Sequence, residues 1–201
     1  VAHLTIDRAE LLNTLSVETL NELTDAFQKI ERHAHAKVVI LRGAGDKSFV
    51  AGANINELKE LSAVSSIDFA YGGQRLFQLM ESISQPIIAA IDGYCMGGGC
   101  DLAMSCDLRI ASTEALFAHP GARMGIITGF GGTYRLPHLV GKQAAKELFY
   151  TCDTINAHEA HRIGLVHQVV EPSELMPRAV TWAQKIAKNY QNFSKKEFNR
   201  F

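Results

Sequence analysis

The sequence is short of most features that would settle its chemistry at a glance. Its four cysteines, Cys95, Cys100, Cys106 and Cys152, include no CxxC spacing, and three of them crowd into one strand–turn–helix stretch. That pattern excludes a disulfide framework and predicts reduced, buried thiols in a reducing compartment. Neither sign of charge is in excess: 20 Lys and Arg against 21 Asp and Glu give 20 − 21 = −1, which removes any global attraction to nucleic acid or an anionic membrane. The longest apolar run, Ile87–Ile91, falls far short of the roughly 18 residues of a membrane span. No basic-then-apolar leader opens the chain, which starts at Val1 inside a strand-like alternation; residues ahead of it are expected, and the expected location is the cytoplasm or an organelle matrix.

What is present is an ordinary globular composition. Hydrophobic residues make up 47% of the 201 positions and charged ones 20%, so intrinsic disorder is excluded. At about 150 residues per domain the length predicts one main domain, and such a chain buries roughly 70% of its unfolded surface without disulfides or metal. No Ser- or Pro-rich linker or low-complexity tract divides it.

Strands and helices alternate along its length. Val17, Leu20, Leu23, Phe27 and Ile30 step at three or four residues and predict a helix capped by Ser16. The stretch Lys37–Arg42, apolar at its four central positions, predicts a buried strand, and a short helix carries Leu58 and Leu61. Phe69, Leu76, Phe77, Met80 and Ile83 predict a long helix that Pro86 stops. Further strands are predicted at 87–92, 108–111, 115–118 and 166–170, with helices at 133–139, 143–151, 157–163 and from Pro172 through Val180, Ala183 and Ile186. The fold class is α/β with crossover connections. Phe27, Phe69, Phe77 and Trp182 sit at helix-core spacing, and periodicity fades over residues 191–196, where the Lys195-Lys196 pair reads as a solvated end.

Two small-residue turns carry the chemistry. In the first, Phe49-Val50-Ala51-Gly52-Ala53-Asn54-Ile55, a strand passes into a helix through residues that let a ligand touch backbone. In the second, Ile91-Asp92-Gly93 leads to Gly97-Gly98-Gly99 and a helix through Asp101, Leu102 and Ala103. Unpaired N–H groups at a helix start favour an anion. If Ala53 and Gly98 aim theirs at one point, they form an oxyanion hole, each donor being worth roughly 10²–10³ in rate. Close helix–strand packing is the structural alternative for the glycines. Neither GxGxxG nor GK[ST] occurs, which excludes dinucleotide and P-loop readings. His158 and His161 are three apart rather than four, so HExxH zinc chemistry is excluded and no metal is expected.

The pairing of these turns with the stretches 125–151 and 157–170, in that order, resembles the enoyl-CoA hydratase/isomerase (crotonase) family from about Leu4 to Val170. The resemblance implies a spiral of strand–strand–helix repeats over residues 1–172, with residues 173–201 beginning an incomplete C-terminal helical, oligomer-forming region. It also implies a homotrimer or dimer of trimers that binds acyl-CoA thioesters. Ala53 and Gly98 take the place of the enolate-stabilising N–H pair, with Gly97 beside them. Backbone near Ala51 and Ile55 takes that of the coenzyme A site. No tightly bound cofactor is implied beyond coenzyme A as part of the substrate.

Of the two glutamates of the family's hydratases, the first maps onto Asp101. Three residues after Gly98 on a helix, it is expected to point into the pocket; its alternative role is to complement the helix dipole. The second maps onto Gly121, which has no carboxylate, and losing such a group typically costs 10²–10⁴-fold. The space left at Gly121 would then admit a substrate carboxylate or water, as in decarboxylating or hydrolytic members. Alternatively, His119, Arg123, Thr128 or Tyr134 acts from nearby, or the chain binds acyl-CoA without turnover. His119 and Gly121 are thereby expected at the acyl group, while Arg123 and Arg135 hold an anion or an ion pair.

Overall fold

The computed structural model describes residues 1–33, 35–190 and 195–199. Among the described residues nine strands form two sheets. The larger has the order β1-β2-β4-β6-β9, made of Ala2–Ile6 (β1), Val39–Gly43 (β2), Ile87–Ile91 (β4), Leu108–Ser112 (β6) and Gln168–Val170 (β9), all parallel. The smaller has the order β3-β5-β7-β8, made of Ser48–Val50 (β3), Tyr94–Met96 (β5), Leu116–Ala118 (β7) and Ile155–Asn156 (β8), with only the last pair antiparallel. Strands that are consecutive in the chain (β2 and β3, β4 and β5, β6 and β7) therefore fall in different sheets. Each coil of the chain lays one strand in each sheet and then passes through helix, which is the strand–strand–helix spiral expected from the resemblance.

The central strands are apolar without alternation because both faces are covered. Val39, Leu41, Ile87, Ala89 and Ile91 face the main core, while Val38, Ile40, Ile88 and Ala90 face the other side. Val17–Arg32 (α1) and Ala63–Ser82 (α3) supply Leu20, Leu23, Phe27, Leu76, Phe77 and Met80 to that main core. Ser16 caps α1 by accepting from the Thr19 amide at 3.0 Å, as its spacing predicts. Val17, read as part of the apolar face, lies in the first turn and is exposed.

The far side of the larger sheet is covered by Pro172–Asn189 (α7) through Leu175, Ala179 and Ala183, spaced four apart, with Trp182 half-buried beside them. Ile55–Glu60 (α2), Gly98–Met104 (α4), Gly132–Thr151 (α5) and Ala157–Arg162 (α6) complete the coils. The two helices predicted on either side of residue 141 meet there end to end, since Gly141 takes φ 80 and ψ 158 inside α5.

The reading of Lys195 as solvated is overturned. Lys195–Phe198 (α8) lies across the end of α3, where the Lys195 ammonium is buried, donating to the Met80 carbonyl at 2.9 Å and to Asp107 Oδ2 at 3.0 Å. Its aliphatic stem has become core while its charge has a carboxylate partner. Lys196 remains half-exposed, 3.4 Å from Glu31. Residues 191–194, where periodicity fades, lie outside the described residues. All four cysteines are free and buried, and among the described residues no helix is long and apolar enough to cross a membrane.

Candidate active site

The two small-residue turns meet where the smaller sheet feeds its helices. A parallel bridge from Leu15 to Ala53 holds the first turn: the Leu15 amide donates to the Gly52 carbonyl at 2.8 Å and the Asn54 amide to the Leu15 carbonyl at 2.9 Å. Asn54 then caps α2 through its side chain. The Ala53 N–H, between these bonds, has no acceptor among the described residues. In the second turn Gly97 takes φ 48 and ψ −111, a conformation that only glycine adopts without strain, and its amide donates to the Ala118 carbonyl at 2.8 Å. Gly98 starts α4, so its N–H is likewise without a helical acceptor. The turns are in contact: a Cβ placed on Gly98 would lie 3.5 Å from the Ala53 amide nitrogen. Ala53 and Gly98 thus meet at one point, and Gly99 packs α4 on Val50 too closely for any side chain. The packing role of the glycine triplet is therefore met at Gly99.

That point opens on a cavity of about 620 Å³, within the usual range for a small-molecule site. Ala51, Ala53, Ile55, Gly97 and Gly98 line one side, as expected. Leu58, Leu61, Phe69, Phe130, Phe149 and Tyr150 make the rest of the wall apolar. The sequence reading missed most of these. Phe69 was expected only as core, and Phe130 and Phe149 gave no signal beyond lying among glycines or on a helix. Phe130 is wedged between the rings of Phe69, 5.2 Å away, and Phe77, 5.7 Å away.

Asp101 departs from expectation. Its carboxylate is fully buried and does not line the cavity. Thr128, which does, donates its hydroxyl to Asp101 Oδ2, while Oδ1 is left without a partner beside the Cα of Gly132. The first turn of α4 faces the loop before α5 here, so the acid points at that loop and the loop forms the wall. Burial raises the carboxyl to about pKa 6; His119, the Thr128 hydroxyl and Arg135 pull the other way, and Cys100 adds to the rise.

At Gly121 the expected space is filled. A Cβ there would lie 2.5 Å from the Ile126 carbonyl oxygen, because residues 121–126 close into a tight turn whose Ile126 amide donates to the Gly121 carbonyl at 2.9 Å. Gly121 still lines the cavity, but through backbone. His119 also lines it; the imidazole is buried against Phe149 at 4.8 Å, and neither ring nitrogen has a hydrogen bond among the described residues. Burial alone would lower its pKa, but the adjoining Cys100 sulfur and Asp101 carboxylate outweigh that and raise it.

The other substitutes stand apart. Arg123 donates to the Cys152 carbonyl at 2.9 Å outside the cavity, and Tyr134 is exposed on α5. Arg135 forms an ion pair with Glu81 and donates to the Phe130 carbonyl at 2.9 Å. On α6, His161 Nδ1 lies 3.1 Å from the Val166 carbonyl.

A two-sheet spiral whose two small-residue turns line one apolar cavity fits the class of acyl-CoA enzymes that the sequence resembles. The enoyl-CoA hydratase/isomerase family model matches residues 1–200. The short-chain-enoyl-CoA hydratase of Clostridium acetobutylicum is 48% identical over 100% of this chain and 78% of its own length. The crotonyl-CoA hydratase of Syntrophomonas wolfei is also 48% identical, over 92% and 72%. The crystal structure of an enoyl-CoA hydratase from Bacillus anthracis superposes with a TM-score of 0.90 at 39% identity, covering 93% of this chain and 72% of that one. The chain belongs to the enoyl-CoA hydratase/isomerase family and is an enzyme of that type, acting on CoA thioesters.

Proposed function

We propose that this enzyme hydrates short-chain enoyl-CoA thioesters, with the N–H groups of Ala53 and Gly98 polarising the thioester carbonyl and Asp101 as the acid–base group. The observation that carries this reading is that Ala53 and Gly98, whose amides have no acceptor among the described residues, lie side by side on the wall of an apolar cavity. Two donors on a carbonyl oxygen draw electron density out of the conjugated double bond. Water attacks Cβ, the π pair moves onto the thioester oxygen, and the resulting enolate is held by donors already in place. A base must take the proton of the attacking water, and an acid must return one to Cα.

The names of the 48% identical relatives, a short-chain-enoyl-CoA hydratase and a crotonyl-CoA hydratase, support hydration and a short acyl chain. Backbone around Ala51 and Ile55 is the proposed coenzyme A contact, and Gly97, His119 and Gly121 border the acyl group. We place the spiral core at residues 1–172 and an oligomer-forming region from 173. The assembly is a homotrimer or dimer of trimers, supported by exposed apolar side chains such as Val64, Ile127 and Tyr150 and tested by sedimentation equilibrium.

The deciding experiment follows loss of the enoyl-thioester absorbance of crotonyl-CoA. Turnover that Asp101→Asn abolishes supports the reading; turnover unaffected by that change removes Asp101 from it. One observation favours a second reading, acyl-CoA binding without catalysis: no carboxylate lines the cavity among the described residues. Tight binding of a CoA thioester without any turnover would establish it.

A further inference from the structure

Asp101 is the only acid at the site among the described residues, yet it is sealed from the cavity. We propose that Thr128 is a catalytic residue, its hydroxyl passing the proton between Asp101 and the acyl group. The proposal rests on the hydratase reading above and says how its acid–base group reaches the substrate.

Three features place Thr128 in that role. Thr128 lines the cavity and its Oγ1 bonds Asp101 Oδ2, so one residue borders both the cavity and the buried acid. The turn that carries it is pinned on the far side, Gln74 Nε2 donating to the Gly129 carbonyl at 2.7 Å and Arg135 to that of Phe130 at 2.9 Å. Finally, a hydroxyl both donates and accepts, so it can take a proton while releasing its own, which the apolar residues around it cannot. The ionisable groups facing Asp101 are Cys100 from α4, His119 from the end of β7 and Arg135 from α5.

The step balances with one water. The water oxygen bonds to Cβ and the π pair moves to the thioester oxygen, giving the enolate. The water proton passes to Thr128 Oγ1 as the threonine's own proton passes to Asp101 Oδ2. As the enolate collapses, Asp101 returns that proton through the same hydroxyl to Cα. The product has gained H and OH from the one water, and both side chains end as they began.

The test compares Thr128→Val, Thr128→Ser and Asp101→Asn in crotonyl-CoA hydration. Thr128→Val keeps the shape and removes the hydroxyl, and kcat is expected to fall by about 10²–10⁴ with KM nearly unchanged. Thr128→Ser restores a hydroxyl and is expected to stay within about tenfold of the parent. The acid limb of kcat is expected to move to higher pH in Thr128→Val, because the hydroxyl helps to hold the Asp101 carboxyl down; the split between kcat and KM and the rescue by serine separate a relay from a merely structural bond. Equal losses in the valine and serine variants would overturn the proposal. An active valine variant beside an inactive Asp101→Asn would overturn it too while leaving the hydratase reading intact. Full activity in Asp101→Asn, or no turnover in the parent enzyme, would sink both.

Discussion

The ring of Phe130 lies 3.1 Å from where a methyl group on Gly98 would stand. Phe130 has little room to yield, since Phe69 and Phe77 hold its faces and edge. A side chain at residue 98 would therefore crowd the position between the two amides. Gly98→Ala is expected to lower kcat by about 10²–10³, the effect of losing one such donor, and to cost about 1–3 kcal/mol of stability by overpacking against Phe130. Hydration kinetics read beside a melting curve check this; an unchanged rate would remove Gly98 from the donor pair.

Asp101 predicts opposite pH trends for activity and stability. Its carboxyl is raised to about 6 from 3.8, so the folded protein holds that proton more tightly than the unfolded chain does. The group's stabilisation is complete below pH 3.8 and is lost as pH rises through about 6. As a base, however, Asp101 works only when ionised, so activity rises over the same window. Asp101→Asn should thus be inactive yet more stable than the parent near pH 7.5, by on the order of 2–3 kcal/mol, with the gap narrowing toward pH 4. Urea titrations of both proteins at the two pH values measure it.

Lys195 gives a test of the C-terminal contact. Its ammonium shares Asp107 Oδ2 with the Ile87 amide, which donates at 2.7 Å. Removing the lysine leaves a partly exposed carboxylate unpaired at the start of a central strand. Lys195→Met is expected to cost about 1–3 kcal/mol, below the figure for a fully buried pair because Asp107 is partly solvated. Adding Asp107→Asn should recover part of that loss, and a double-mutant cycle in urea measures the recovery.

Gly121→Glu, which adds the carboxylate that the family resemblance implies at this position, is expected to fail as a repair. Its Cβ would press on the Ile126 carbonyl and open the turn closed by the bond between residues 121 and 126. A loss of about 1–3 kcal/mol and no gain in kcat are expected. A faster, equally stable variant would show that the turn relaxes without cost.

Which of these features were legible in the sequence follows from how local each one is. The cap at Ser16, the helix faces and the buried strands rest on neighbours three or four residues away, and these appear as read. The break at Gly141 separates two helices that pattern alone distinguishes. The two small-residue turns were legible for the same reason: a glycine triplet and an Ala-Gly-Ala turn constrain backbone whatever surrounds them. Asp101 was legible as an acid at the right helical position, but not in its orientation. That depends on Thr128, 27 residues later, and on how closely Gly132 approaches it. Lys195 sits in a polar stretch, and only the reach of its stem across the end of α3, 115 residues earlier, turns it inward. The turn at 121–126 was invisible because a missing side chain suggests space, whereas the backbone moved in.

The alternation of strands between two sheets has a kinetic consequence. Ala53 and Gly98 belong to successive coils, and the Phe130 wall belongs to a third, so no single coil holds a site. All five strands of the larger sheet pair side by side across long stretches of chain, and such non-local pairing is slow to form because loop closure precedes its reward. Affinity for a thioester therefore arises only after three coils have stacked, and the emergence of ligand binding during refolding marks the end of assembly rather than its nucleus.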